Sequence, residues 1–290
     1  MYKMIESHYS FAKLSYDEMF EEYIRHEDKN IPRIQKNPRL GLHTQFTRNI
    51  IDSFPMEAIQ NPNSYHAWLY VIRASQLGHG IFQSNAHDGQ PFPFFYDDEY
   101  LEVTGKRDPE HAEHPVWLLA LYSSIIARNH DAIAYLTAID NDVFKTSNYG
   151  NQLRPFDYAL ANLLKGLFSP SADLANLIEQ AYLTCNPDDY VDDEAYLYVS
   201  RLEWPLIPVI TAIFTENGEQ EYNQAMEKAL LAHREYYNNE DHEGANEGAI
   251  PLALTALAII AKDVKDYKLT VENGYIPAWL IDVTPPTDPN

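Results

Sequence analysis

Glu219-Gln220-Glu221-Tyr222-Asn223-Gln224-Ala225-Met226-Glu227-Lys228-Ala229-Leu230-Leu231-Ala232-His233-Arg234-Glu235-Tyr236-Tyr237-Asn238 is the stretch that decides the fold class. Tyr222, Ala225, Met226, Ala229, Leu230, His233, Tyr236 and Tyr237 recur at the i, i+3, i+4, i+7 spacing of one helical face. Glu221, Gln224, Glu227, Lys228 and Glu235 take the other face. A helix with one apolar stripe has to bury it against neighbours, so the stretch predicts a surface helix on a helical core. Outward from it the same period returns. Residues 63–83 carry Tyr65, Trp68, Leu69, Ile72 and Leu77 on one side. Residues 115–128 open with Pro115, which suits a first helical turn. Residues 154–168, 172–184 and 192–203 read as further helices, punctuated by Gly166, Ser169-Pro170 and Asn186-Pro187. Residues 248–262 are apolar nearly all round, which predicts a central, buried helix with Pro251 in its first turn.

Convincing strand alternation does not recur. The expected fold is therefore all-α. Antiparallel helix hairpins pack as a multi-helix bundle or a short superhelical array around the buried C-terminal helix. The expected organisation is a single helical domain over residues 1–282. Residues 83–114, rich in Pro, Asp and aromatics and holding Pro91-Phe92-Pro93-Phe94-Phe95-Tyr96, are too long for a plain turn and are expected to form an irregular insertion. Residues 283–290 are expected to be a disordered tail.

Bulk properties narrow the class. A hydrophobic share of 45% is too high for a disordered chain. The single cysteine, Cys185, excludes an intrachain disulfide and is expected to be a small buried hydrophobe. The N-terminus has no apolar leader pattern, and the apolar runs 204–214 and 249–261 fall short of the ~18 residues a spanning helix needs. A cytoplasmic location is expected. Against 21 Lys and Arg stand 43 Asp and Glu, a net charge of −22. Such a surface repels nucleic acid and anionic membranes, and it steers a basic protein partner.

The sharpest enzymatic pattern is Asp188-Asp189-Tyr190-Val191-Asp192-Asp193-Glu194. It resembles the aspartate-rich motif of helical isoprenoid synthases, whose carboxylates hold Mg²⁺ against a diphosphate. A second metal motif and a diphosphate-binding Arg/Lys cluster are both missing. Carboxylates after Asn186-Pro187 also suit a helix N-terminus, so a solvated acidic start is the favoured reading. His111 and His114 are bracketed by Pro109 and Pro115 and lack a third ligand, which favours solvated loop histidines over a metal pair. His233 lies on the apolar stripe and reads as a hydrogen-bonded core residue rather than a ligand beside His242 and Glu243. Gly78-His79-Gly80 reads as a helix end or turn. No cofactor, metal or catalytic set is expected.

The C-terminal third carries a family resemblance. Ala232-His233-Arg234-Glu235-Tyr236-Tyr237 is followed by an acidic, glycine-containing loop. The apolar helix from Pro251 to Ala261 comes next, and Gly274-Tyr275-Ile276-Pro277-Ala278-Trp279-Leu280 closes the pattern. This order, over residues 219–282, resembles the immunity protein 49 family, helical proteins encoded beside bacterial polymorphic toxins. The resemblance implies a cytosolic antidote that binds and neutralises a cognate toxin domain without an active site of its own. Basic clefts of nucleic-acid-directed toxins would accept an acidic face. The candidate contact residues are Asp188, Asp189, Asp192, Asp193 and Glu194, then Glu240, Asp241 and Glu243, then Phe94, Phe95, Tyr96, Asp97 and Asp98. Tyr275, Ile276 and Trp279 are expected to cover the buried helix instead. Two other readings stay open: a helical-repeat scaffold for a protein partner, and an all-α Mg²⁺ enzyme using the 188–194 carboxylates.

Overall fold

The structure, a computed structural model, describes residues 4–9, 17–18, 20–21, 29–61, 64–148, 150–189, 193–239, 241–242 and 244–282. It is built from helices and one two-stranded sheet. The described residues fall into two compact units, one within 11–153 and one made of 4–9 with 154–282. The expected tail 283–290 lies outside the described residues.

The N-terminal unit opens with α1 (Asn30–Lys36) and α2 (Pro38–Thr47), then a π-helical stretch (Arg48–Ser53) leads into α3 (Phe54–Gln60). Its central element is α4 (Tyr65–Ala86), 22 residues long. Ser64 starts α4 by accepting the His66 N–H at 3.1 Å on its Oγ, which satisfies one of the orphan donors of the first turn. Around α4 pack α2, α3, α5 (His114–Ile126) and α6 (His130–Ala138). Trp117 of α5 is fully buried and donates its indole N–H to the Leu136 carbonyl of α6 at 2.9 Å.

Gly78 and Gly80 sit in the middle of α4, which corrects their reading as a helix end. A Cβ on Gly78 would lie 2.7 Å from Cβ of Ala120 on α5, and one on Gly80 would lie 2.6 Å from the Phe94 ring. The two glycines let neighbours approach the helix backbone closely.

The expected irregular insertion contains an antiparallel hairpin, β1 (Pro91–Tyr96) and β2 (Glu99–Thr104). Phe92, Phe94 and Tyr96 point inward with Leu101 and Val103; Pro91, Pro93, Phe95 and Tyr100 point outward. Asp97 and Asp98 take positive φ of 53° and 65°, as a two-residue type I′ turn demands, and carboxylate side chains tolerate that region. Tyr96 and Glu99 close the turn as a hydrogen-bonded pair. By alternation, Pro91 and Pro93 then occupy positions whose nitrogens face away from β2.

The C-terminal unit holds α8 (Pro155–Gly166) and α9 (Leu174–Thr184), after the short α7 (Asp142–Lys145) of the preceding unit. Next come α10 (Asp193–Tyr198), a π-helical stretch (Val199–Glu203), α11 (Leu206–Phe214) and α12 (Glu219–Tyr237). The buried α13 (Leu252–Lys265) and the short α14 (Ala278–Ile281) complete it. On α12 the buried residues are Tyr222, Met226, Ala229, Leu230, His233 and Tyr236, all on the stripe its sequence marks out. Residues Leu254 through Ala261 of α13 are buried throughout, against α11, α12 and α14. In the closing segment Tyr275 and Ile276 are buried and Trp279 is half-buried; Tyr275 packs edge to face on His233 of α12, and its hydroxyl shares a 2.7 Å hydrogen bond with His8. Ile5 joins that segment in a parallel bridge to Asn273, its N–H donating to the Glu272 carbonyl at 2.9 Å.

The continuous helical run Glu194–Phe214 is long and apolar enough to cross a membrane by length and composition. Within it, however, Arg201 pairs with Glu235 of α12 and Glu203 pairs with Arg154 at the start of α8. Those ion pairs and the packing on α12 fit a core helix of the unit.

Candidate partner-binding surfaces

Three carboxylates of the acidic run, Asp188, Asp189 and Glu194, lie exposed on the C-terminal unit. Asp188 and Asp189 are exposed on a 3-10 turn that follows α9. Asn186 holds this turn: its Oδ1 accepts the Asp188 N–H at 3.3 Å, and its amide donates to Asp189 at 3.2 Å. Asp193 opens α10 and Glu194 is exposed on it, while Asp192 lies outside the described residues. In the second acidic run, Asp241 is exposed and its N–H donates to Asn239 Oδ1 at 2.9 Å; Glu240 and Glu243 lie outside the described residues.

The hairpin divides its candidates. Phe94 and Tyr96 are 1% and 2% exposed, so their side chains belong to the core of the N-terminal unit and cannot meet a partner. Asp97 is engaged inward: the buried Arg73 of α4 donates to both its carboxylate oxygens, at 2.8 and 3.0 Å, and its N–H donates to Gln76 Oε1. Asp98 and Phe95 remain exposed. Phe95 meets Tyr100 across the strands in a tilted ring contact, centroids 5.0 Å apart, and Tyr100 is 78% exposed. Sequence reading passed over Tyr100, whose place opposite Phe95 depends on the hairpin register.

The histidines are structural. His114, expected in solvent, is buried at the start of α5, stacked on Trp117 with its ring edge-on to Phe144. Of the two prolines that suggested a loop, Pro115 instead marks the first helical turn, while Pro109 and His111 do lie in the turn that precedes it. His111 donates through Nδ1 to Asp108 Oδ2 at 2.7 Å. Asp108, Glu110 and His111 bring three ligand-type atoms within 4.8 Å of one another. Arg39 of α2 already fills the cationic role there, donating to Asp108 at 3.0 Å and pairing with Glu110. Asp108 Oδ1 also accepts the backbone N–H groups of Glu110 and His111. The cluster therefore reads as an anchor between loop and helix, with a guanidinium where a metal would sit. Burial and the neighbouring His111 hold His43 down at about 4, so it is neutral at pH 7. His233 is buried, shares a 2.9 Å hydrogen bond with the Gly248 carbonyl and is likewise held down to about 4 by burial. It is the hydrogen-bonded core residue its stripe position suggests.

Sequence reading missed a buried ionic group. Arg154 donates at 2.6 Å to both Asp157 and Glu203, 49 residues away from it in the chain. Burial pushes the Glu203 carboxyl up to about 7 against the pull of Arg154. Cys185 is fully buried, and burial, aided by the Glu203 charge, pushes its thiol up to about 12. It is an inert core thiol, as expected.

Three concavities can be described. A groove of about 540 Å³ between α11 and α12 includes Tyr182, Trp204, Pro208 and Ala225 in its lining. A second, of about 370 Å³, lies between α12 and residues 268–272. The third, of about 280 Å³, lies beside Phe82 and Tyr135. Asp188, Asp189 and Glu194 line none of these three.

Apolar helix faces turned inward, exposed carboxylates and one two-stranded hairpin among the described residues make this an acidic, mostly α-helical protein. The chain belongs to the immunity protein 49 family, whose family model matches residues 63–280. Such immunity proteins are generally non-enzymatic. No curated protein matches the chain, and no solved structure does.

Proposed function

We propose that this chain is a cytosolic immunity protein that binds a cognate bacterial toxin domain and neutralises it, without catalysis of its own. Membership of the immunity protein 49 family carries the reading. The net charge of −22 supports a basic partner, because the field of such a protein accelerates the approach of a cation-rich surface and repels nucleic acid. Exposed Asp188, Asp189, Glu194 and Asp241 supply that field in the C-terminal unit, and Asp98 supplies part of it beside Phe95 in the N-terminal one.

The test is co-expression with any toxin domain that a neighbouring gene encodes. Wild-type protein restores growth, and the purified pair forms a stoichiometric complex whose affinity drops as NaCl is raised through the Debye-screening range. Unrelieved toxicity together with no detectable complex refutes the proposal.

A further inference from the structure

Strand alternation places Pro93, Phe95, Tyr100 and Glu102 together on the outer face of the hairpin. The register sets Phe95 opposite Tyr100 and Pro93 opposite Glu102. Phe95 is 40% exposed and Tyr100 is 78% exposed. Single exposed apolar residues are ordinary; two rings in contact on one open face form a patch. Tyr100 and Glu102 are next but one along β2, so their Cα atoms stand about 7 Å apart, and Glu102 is the diagonal neighbour of Phe95. One carboxylate therefore stands beside both rings.

The charge of the hairpin has a single sign. Residues 91–104 hold four Asp or Glu and no Lys or Arg. Asp97 is taken by Arg73, whereas Asp98, Glu99 and Glu102 are exposed and form no ion pair among the described residues. Cations do lie near in the chain or the fold: Arg33 and Lys36 on α1, which packs beside β2, and Lys106 and Arg107 beyond its end. All four are exposed, and none of them pairs with a hairpin carboxylate among the described residues.

We infer that this face is where the toxin docks, and that the toxin seats an arginine side chain on it. The inference rests on the immunity reading above. A guanidinium laid over Tyr100 or Phe95 meets the electron-rich face of the ring, and from there its N–H fork reaches the Glu102 carboxylate. Lysine lacks the planar group that does both at once. A second copy of this chain does not fit, because it would set Asp98, Glu99 and Glu102 against their own kind. Nucleic acid is repelled for the same reason.

The experiment has two arms. In the first, a blocked peptide with two arginines spaced by glycines, and its lysine counterpart, are titrated into the ¹⁵N-labelled full chain and followed by amide NMR. Shift changes centred on residues 93–102, larger for the arginine peptide and lost in Tyr100→Ala, support the site. Changes absent at millimolar peptide, scattered over other carboxylates, or equal for the two peptides overturn it. In the second arm, any toxin domain that a neighbouring gene encodes is titrated into wild type, Tyr100→Ala, Glu102→Lys and Glu179→Lys. Glu179 is exposed on α9, and its variant changes the net charge as Glu102→Lys does. Tyr100 and Glu102 are exposed too, and circular dichroism checks each fold. Losses of about 30-fold in Tyr100→Ala and Glu102→Lys, the size of an interface hot spot, with about 3-fold or less in Glu179→Lys, support docking here. Equal losses in the two lysine variants leave only the field of the whole chain and overturn the site. Binding that Tyr100→Ala and Glu102→Lys leave unchanged overturns the hairpin and keeps the immunity reading. No binding by the wild type removes the immunity reading itself, and the arginine site then stands or falls on the peptides.

Discussion

Gly78→Ala is the substitution in which two effects of opposite sign compete within one helix. In an open helix interior, alanine is favoured over glycine by about 1 kcal/mol, because glycine loses more backbone freedom on folding. Here the added Cβ would sit 2.7 Å from Cβ of Ala120, 3.0 Å from its Cα and 3.0 Å from the Phe46 ring. Two of those neighbours are rigid: Ala120 lies on α5, pinned by the buried Trp117 and Leu121, and Phe46 is 1% exposed. Overpacking of this kind costs roughly 1–3 kcal/mol, and contact with helix backbone puts it in the upper half of that range. The net expectation is a destabilisation of about 1–2 kcal/mol. Urea unfolding followed by circular dichroism should show the midpoint lowered by about 0.5 M, given slopes of ~2–3 kcal/mol/M. Ala120→Gly removes the facing methyl. In the double variant most of the penalty should vanish, leaving a coupling of about 1 kcal/mol or more. A raised midpoint in Gly78→Ala, or a cycle with no coupling, would refute the claim that α4 and α5 approach through the glycine.

Three further outcomes are expected. Asp97→Ala removes the carboxylate bound to the buried Arg73 and puts alanine at φ 53°; after discounting for the one-third exposure of Asp97, the cost is about 3 kcal/mol in urea unfolding. Asp97→Asn keeps the turn geometry and should cost clearly less, so equal costs would sink the ion-pair account. Glu203, raised from 4.5 to about 7 by burial, keeps its proton in the folded state where the unfolded chain has lost it. Its contribution to stability is complete below pH 4.5 and is lost as pH rises through about 7; Glu203→Gln should flatten that slope, and an unchanged pH profile of unfolding would contradict it. Cys185 should resist iodoacetamide at pH 8 in the native protein and react fully in urea, read by mass spectrometry. Native labelling at the rate of a free thiol would place the residue at the surface.

The helical elements were legible where one local pattern decided them. The stripe of α12 and the uniform apolarity of α13 are properties of adjacent residues, and burial follows both. The hairpin was hidden because Pro91 and Pro93 read as breakers, although they stand where a strand spares its N–H groups. Without the strands, Phe94 and Tyr96 looked like surface aromatics, and Tyr100 had no visible partner. Gly78 and Gly80 carry the same letters as a helix end; only the neighbours at Ala120 and Phe94 show that the helix continues. Arg154 and Glu203 meet across 49 residues, and the groove joins Tyr182, Trp204 and Ala225 from three helices. Long-range pairings of this kind leave no periodic trace in a single sequence.

The two prolines of β1 have a consequence for the chain in crowded solution. A two-stranded sheet has two free margins, and each is a template on which a second molecule can add a strand. One margin here, that of β2, lies beside α1. Along the other, Pro91 and Pro93 withhold the amide hydrogens that an incoming strand would have to find. The hairpin can therefore show Phe95 and Tyr100 to water without inviting its own copies to zip alongside. A sticky face stays available to others while self-assembly through the edge is discouraged.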